Sequence, residues 1–164
     1  MTKRYRNLMI IGSIAFAIIA CNQSIKKEQT NTEMKDHDNI FPQGNKITNN
    51  NFTGTAWLNM LVENDSVYET QIGYVTFEPG ARTNWHYHLG GQILLVTNGR
   101  GLYQEKGKPI QTIQKGDVIK CPPGVTHWHG ATPSDTMTHV AIGPNTDKGG
   151  VVWLERVSDD EYKK

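Results

Sequence analysis

The chain has 164 residues, 20% of them charged, and a formal net charge of +1 at pH 7. This length is enough for one domain with a sizeable core. Nucleic-acid-binding domains are typically strongly basic, whereas the net charge of this chain is nearly neutral, so we expect no nucleic-acid partner. Sixteen glycines and scattered aromatic residues are typical of a chain of short strands and tight turns.

Residues 1–20 have the pattern of an export signal. Residues 3–6 (KRYR) are basic, and residues 8–20 (LMIIGSIAFAIIA) form an uncharged apolar run. That run is shorter than a membrane span of about 20 residues and has the length of a secretory h-region. It ends in IIAC, which resembles a bacterial lipobox and implies cleavage before Cys21 and lipidation of its thiol. A plain signal peptide, or a short anchor that ends in cysteine, is the alternative.

The chain behind this signal predicts a tether followed by one folded domain. Residues 22–39 are almost wholly polar and lack periodicity, so we interpret residues 21–40 as a flexible tether. The domain then spans residues 41–164, with a core at about 55–157. We expect a lipoprotein of the bacterial cell envelope that touches the membrane through its N-terminal lipid only.

The second cysteine has no partner in this interpretation. Once Cys21 carries a lipid, Cys121 is left without a disulfide. We expect Cys121 to be a small core residue, and a role as ligand or nucleophile is the alternative.

From residue 55 onward, short apolar or alternating runs are separated by turn formers such as Pro79-Gly80 and Asn98-Gly99. No long run with a 3.6-residue period occurs, so the pattern favours a β-sandwich or barrel. A small barrel has an interior that side chains line and a mouth that can hold one ligand. The predicted strands are 55–62, 69–78, 93–97, 101–105, 110–113, 117–120, 126–129, 137–142 and 151–157.

Two His-x-His pairs stand out in this pattern. Side chains two apart on a strand share a face, so His86 should face the same way as His88, and His127 the same way as His129. Buried imidazoles need partners, because an unpaired buried polar group costs about 1–3 kcal/mol. Several imidazoles in one small barrel need a common partner, and a divalent cation would provide it.

The spacing around these pairs is that of two known motifs. Residues 80–99 have the form G-x5-H-x-H-x3-Q-x6-G, and residues 116–127 have the form G-x5-P-x-G-x2-H. In this the chain resembles a single-domain cupin, and the resemblance implies an all-β double-stranded β-helix, or jelly-roll, barrel. It departs from the family pattern at Gln92, where most members have Glu, and at Ala131, where the second motif usually ends in Asn.

A longer run, residues 79–142, is similar to the carboxymuconolactone decarboxylase-like cupins. This subgroup includes bacterial cupin-type hydroxynitrile lyases with a manganese-type centre. The resemblance implies one divalent metal ion per chain, with Mn as first choice and Fe, Zn, Ni or Cu as alternatives. It implies the metal ligands His86, His88, Gln92 and His127, and two further pocket histidines, His129 and His139.

We expect the metal-binding residues and the other pocket residues to have different roles. A neutral Gln92 leaves the +2 charge of the ion uncompensated, which makes it a stronger Lewis acid. We expect His139 to act as general acid or base, and His129 to orient His139 or shuttle its proton. The alternative is that His129 only hydrogen-bonds a residue that binds the metal.

Arg82 is either a solvated turn residue or a substrate-binding group at the mouth. Trp128 is packing or part of the wall of the substrate pocket.

The expected function is a metal-dependent lyase for a small-molecule substrate, and hydroxynitrile cleavage is the reaction that the resemblance implies. A metal-dependent dioxygenase is a chemical alternative. A non-catalytic, lipid-tethered module that binds a sugar, a small acid or the metal itself is the alternative from another class, because the fold alone does not decide function. Small cupins often dimerise through sheet edges or N-terminal strands, so we also expect a homodimer.

Overall fold

The structure, a computed structural model, describes residues 39–163. The predicted signal peptide, the lipidation site Cys21 and most of the tether lie outside these residues. The described chain contains one 3₁₀ turn, Thr146–Lys148, and one short helix, α1, Asp159–Tyr162. Its strands are β1 Asn45–Lys46, β2 Phe52–Thr53, β3 Ala56–Val62, β4 Thr70–Phe77, β5 Arg82–Thr83, β6 His86–His88, β7 Gln92–Glu105, β8 Gln111–Gln114, β9 Val118–Cys121, β10 His127–Ala131, β11 Met137–Pro144 and β12 Val151–Trp153.

The long strand β7 belongs to two curled antiparallel sheets. Its first half pairs with β9 and β11, and its second half pairs with β8 and β10. From β11 the first sheet continues through β4 and β3 to β1. From β10 the second sheet continues to β5 and β6, which pair with β2 and β12. The prediction of an all-β barrel is confirmed.

The prediction of a turn at Asn98-Gly99 is wrong, because β7 runs through both residues as one strand. Gly99 has a φ of 72°, a left-handed conformation that glycine adopts without steric cost. A Cβ at this position would overlap the carbonyl of Thr136. The register with β11 also slips here and leaves Thr97 without an opposing residue. Such an irregularity bends a strand, and here it lets β7 leave one sheet and enter the other.

The main core is a cluster of buried apolar side chains contributed by both sheets. Cys121 belongs to it and is 3% exposed. Burial raises the pKa of the Cys121 thiol to about 12, so the thiol is protonated at neutral pH and packs as a small apolar group. The other members are Ala56, Val75, Phe77, Ala81, Leu94, Val96, Tyr103, Ile113, Ala131 and Met137.

The C-terminal segment covers a second apolar cluster. The predicted strand 151–157 ends at Trp153, and the chain then reaches α1, which begins with a capping box between Ser158 and Glu161. The cluster consists of Trp85, Trp128, Val157 and Tyr162. Across residues 39–163 no helix has both the length and the apolar character needed to cross a membrane.

Candidate metal centre

The pairing of β6 with β10 brings the two His-x-His motifs together. His86 is the register partner of His127, and their ring centroids lie 4.3 Å apart. His129 lies two residues further along β10, and its ring centroid is 5.3 Å from that of His86. One ring nitrogen from each of these three buried histidines lies within 4.8 Å of the other two. The group is compatible with a divalent metal ion, for which imidazole is a common ligand.

Backbone carbonyls set the tautomers of two of these rings. The Nδ1–H of His86 donates to the carbonyl of Asn84 at 2.9 Å, and the Nδ1–H of His127 donates to the carbonyl of Val125 at 2.9 Å. In each case the acceptor lies two residues before the histidine. The lone pair of each ring is therefore on Nε2, and metal-binding histidines in general donate their other N–H in this way.

The donor atoms around the group fit a cation. The Oε1 of Gln92 lies 3.2 Å from the Nε2 of His127, and with His127 protonated on Nδ1 both atoms are acceptors. A cation bound by both would satisfy them. In addition, three buried ring nitrogens have no hydrogen-bond partner within residues 39–163: His88 Nε2, His129 Nε2 and His139 Nδ1. A buried ring nitrogen without a partner is costly whether it donates or accepts, and a cation satisfies one that presents its lone pair, so the residues present fit a metal site.

There are therefore two candidate sets of metal ligands at this site. The compact three-histidine group includes His129, whereas the predicted ligand set has His88 and Gln92 in addition to His86 and His127. His88 stacks on His127 with ring centroids 5.8 Å apart, so it lies at the same site. The predicted set of four ligands stays a prediction.

Burial keeps the five histidines of the described chain neutral at pH 7. It lowers the pKa of His88 and that of His139 to about 4. Burial also lowers the pKa of His86 and of His129 well below the usual value, and it lowers that of His127. Neutral imidazole is the form that binds metal ions and accepts protons.

His129 and His139 form a dyad. The Nε2 of His139 lies 3.3 Å from the Nδ1 of His129, and Phe77 packs against both rings at centroid distances of 5.6 Å and 5.9 Å. His139 comes from β11, where its register partners are Val75 and Val96. The predicted partnership of His129 and His139 thus has the contact it needs, while their catalytic roles stay predictions.

These histidines open into a cavity of about 250 Å³. His86, His88, Gln92, His129 and His139 line one part of it, and of the lining residues in the described chain none is acidic, lysine or arginine. Its walls are largely apolar, so an uncharged ligand fits it best. The apolar lining residues include Phe52, Leu58, Met60, Val75, Phe77, Val151 and Trp153.

Two residues predicted to bind substrate lie elsewhere. Arg82 does not line the cavity: its Nη2 donates to the carbonyl of Val157 at 3.1 Å and to Oδ1 of Asp159 at 2.6 Å. Its guanidinium also lies 4.5 Å from the centre of the Tyr162 ring. Trp128 is fully buried in the second apolar cluster. Both alternatives for Arg82 are therefore wrong, because it is 3% exposed and does not line the cavity. The burial of Trp128 is consistent with its packing alternative.

We predict that Arg82→Met destabilises the fold and leaves the metal site intact. The side chain is 4% exposed, and its loss leaves the Val157 carbonyl without its charged donor, which costs about 2 kcal/mol. Chemical denaturation of both chains measures this difference, and metal content measured in parallel should not change. A loss of substrate affinity at unchanged stability would instead place Arg82 in the binding site.

Trp153 and Gln71 are among the cavity residues that sequence reasoning did not single out. Trp153, whose ring lies 4.8 Å from that of His86, follows the lining residue Val151 by two positions on β12. Gln71 precedes the lining residues Gly73 and Val75 on β4 with the same alternation. The period of two could have placed both on an inner face, but no motif marks either strand.

A curled antiparallel barrel with two inward-facing His-x-His strands defines the class of this protein. Residues 73–143 match the family model for the cupin domain, and the chain belongs to the cupin family with its double-stranded β-helix. The chain is 44% identical over 113 residues to a protein named (R)-mandelonitrile lyase from Granulicella tundricola, an alignment that covers 69% of this chain and 86% of that protein.

Solved structures agree with this assignment. A cupin-like protein from Thermotoga maritima superimposes with a TM-score of 0.75 at 48% identity, covering 76% of this chain and 95% of that chain. A Cupin 2 conserved barrel domain protein from Salinispora arenicola superimposes with a TM-score of 0.53 at 21% identity, covering 67% of this chain and 91% of that chain. At that identity the second likeness concerns the fold alone.

Proposed function

We propose that this protein is a metal-dependent lyase that cleaves an uncharged α-hydroxynitrile into an aldehyde and hydrogen cyanide. The observation that carries the proposal is the unpaired Nε2 of His129, a residue that lies next to His86 and His127 and whose Nδ1 contacts His139. A proton acceptor beside a metal site is what a lyase needs and what a binding module does not need. The identity to (R)-mandelonitrile lyase supports the choice of substrate.

In this proposal His86, His88, Gln92 and His127 hold one divalent ion, with Mn as first choice and Fe, Zn, Ni or Cu as alternatives. When bound, the ion supplies a Lewis acid that polarises the substrate oxygen. His129 is left outside the ligand set because a nitrogen that binds a metal cannot also accept a proton. Gln92 is a neutral ligand, so this set leaves the charge of the ion in place.

The dyad moves the proton. Burial keeps both imidazoles neutral, so the Nε2 of His129 can accept the substrate hydroxyl proton while its Nδ1–H is passed towards His139. The O–H electron pair forms the carbonyl bond, and the C–C bond to the nitrile breaks with its electrons on cyanide. The dyad then returns the proton to cyanide. Atoms and electrons balance, and neither an oxidant nor a reductant is required.

The cavity walls contribute by selecting and desolvating the substrate. Trp153 and Phe52 pack against each other with ring centroids 5.6 Å apart, and both line the cavity together with Phe77. These aromatic faces suit an aryl or branched alkyl group. A water-poor site also strengthens the electrostatic effect of every donor that faces the reacting atoms.

The test is turnover of mandelonitrile by the untagged chain loaded with Mn. We expect benzaldehyde to form well above the buffer rate, and the excess to disappear when a chelator removes the metal. Oxygen consumption should stay at background, which separates a lyase from a dioxygenase. Mandelonitrile decay at the buffer rate for every one of the five metals would overturn the proposal.

A second candidate is a non-catalytic module that binds a sugar. The observation that favours it is a groove of about 650 Å³ beside the cavity, which shares Phe52 and Trp153 with it. Amide side chains line the same groove, and amides beside aromatic faces suit hydroxyl-rich ligands. These amides belong to Asn45, Asn49, Asn51 and Asn59. Binding of simple sugars by calorimetry, without turnover of any hydroxynitrile, would select this candidate.

We also propose that the chain is exported and anchored to the cell envelope through Cys21. The support is the basic start, the apolar run and the IIAC sequence before the polar residues 22–39. In a bacterial host, labelled fatty acid should enter the wild-type chain and not Cys21→Ser. Equal labelling of the two chains would contradict the anchor.

We propose in addition that the protein is a homodimer. The support is an edge strand: within the described chain β9 pairs with β7 alone, and its Val118 is 58% exposed. Light scattering of the untagged domain from residue 41 should give about twice the mass of one domain. A mass of one chain would overturn the proposal.

A further inference from the structure

We infer that Gln71 is a specificity-determining residue whose side-chain amide donates a hydrogen bond to the nitrile nitrogen of the substrate. The identity of the substrate rests on the proposed function. The binding role of the amide, for an uncharged ligand with a hydrogen-bond acceptor, can be tested without it.

Strand register places Gln71 level with the metal site. Gln71 on β4 is the register partner of Gly143 on β11. On the other side of β11, Ile142 pairs with Ile93 of β7. Because these two strands are antiparallel, the next residue of β11, Gly143, lies level with Gln92. Neighbouring strands lie about 4.8 Å apart, which puts the backbones of Gln71 and Gln92 about 10 Å apart. All three residues line the cavity.

The glycine between the two glutamines leaves room for the amide. A Cβ built on Gly143 would lie 3.2 Å from Cγ and 3.3 Å from Nε2 of Gln71. The Gln71 side chain therefore extends across β11, over the bare backbone of Gly143 and towards Gln92. Gln92 in turn lies 3.2 Å from Nε2 of His127. The amide thus lies on the side of the cavity where a ligand at the metal site would project.

The Gln71 amide is free to bind a ligand. It makes no hydrogen bond with any residue between 39 and 163, whereas Gln92 faces His127 and the Thr83 hydroxyl accepts the backbone N–H of His129. Met60 and Val75, which line the same cavity, are apolar. A neutral donor in an apolar wall favours a neutral acceptor such as a nitrile nitrogen and disfavours a carboxylate, whose charge would be buried without a counter-ion.

The contact also fits the reaction. His129 and His139 face the hydroxyl end of the substrate, and the Gln71 amide faces the opposite side. As the C–C bond breaks, negative charge develops on cyanide, and a fixed N–H donor stabilises developing charge more than it stabilises the neutral nitrile. Gln71 should therefore affect kcat as well as KM.

The test is a double-mutant cycle of Gln71→Met and Gly143→Ala, with the exposed Gln111→Ala as control. Methionine keeps the length of the side chain and removes the donor, while the alanine methyl group comes within 3.3 Å of the amide and shifts it by a few tenths of an ångström. We expect Gln71→Met to lower kcat/KM for mandelonitrile about tenfold, the value of one hydrogen bond, and Gly143→Ala to lower it by a smaller factor. The double variant should be no worse than Gln71→Met, because the displaced donor is already gone.

A binding experiment separates this inference from the proposed function. Quenching of tryptophan fluorescence measures the affinity of the metal-loaded chain for benzonitrile and for toluene, which lacks the acceptor. Gln71→Met should weaken benzonitrile about tenfold and leave toluene within twofold. If Gln71→Met weakened benzonitrile but not toluene and the chain showed no turnover, the proposed lyase function would be overturned and the binding role of Gln71 would stand. Equal effects on both ligands, or none, would overturn that role, as would fully additive effects in the cycle.

Discussion

Replacing His86 with alanine is expected to remove the metal and to abolish turnover. The ring of His86 is 1% exposed, its Nδ1 is held by the Asn84 carbonyl, and its centroid lies 4.3 Å from that of His127. We expect bound metal to fall from near one ion per chain to below about a tenth, because losing a direct ligand costs more than the 10–100-fold lost with its supporting hydrogen bonds.

Elemental mass spectrometry of the purified chains measures this loss. Tyr87→Phe is the matched control, since it changes the neighbouring residue of β6, whose side chain points to the opposite face. That variant should keep its metal. Metal retained at wild-type stoichiometry by a folded His86→Ala chain would show that the ion binds elsewhere, and the proposed ligand set would fall with it.

Replacing His139 with glutamine is expected to lower kcat about 10²–10⁴-fold and to leave the metal in place, the range typical of a lost general acid or base. His139 is fully buried, and its Nε2 lies 3.3 Å from the Nδ1 of His129. Glutamine can keep a hydrogen bond to His129 but cannot take up its proton. Steady-state kinetics of mandelonitrile cleavage, with metal content measured on the same sample, tests this.

His129→Gln separates the two possible roles of His129. If the ligands are His86, His88, Gln92 and His127, this variant keeps its metal and loses turnover as His139→Gln does. If the compact group of His86, His127 and His129 holds the ion, the variant loses its metal. The second result would remove His129 from the proton pathway and contradict the proposed mechanism.

The histidine site shows what a sequence can and cannot predict. The shared face within each His-x-His pair follows from the two-residue period of a strand, and the spacing of the motifs led to the cupin barrel. The contact between His129 and His139 does not follow from spacing, because it depends on how β11 lies beside the rest of the barrel. Gln71 was missed for the same reason, since it reaches the site across a neighbouring strand.

Arg82 and Asn98-Gly99 show the limits of local interpretation. The partners of Arg82, Val157 and Asp159, lie more than 70 residues further along the chain, so no local pattern could reveal them. Asn-Gly is a strong hairpin signal, yet here Gly99 provides the left-handed residue of a bent strand. In both cases long-range packing decided between alternatives that the local sequence left open.

The most direct test of the account is the metal content of the untagged wild-type chain, measured by elemental mass spectrometry after purification without chelators. We predict close to one Mn, Fe, Zn, Ni or Cu ion per chain, or the same stoichiometry after reconstitution with that metal. A chain that is folded, holds none of these metals and takes none up would contradict the metal centre and the lyase built on it.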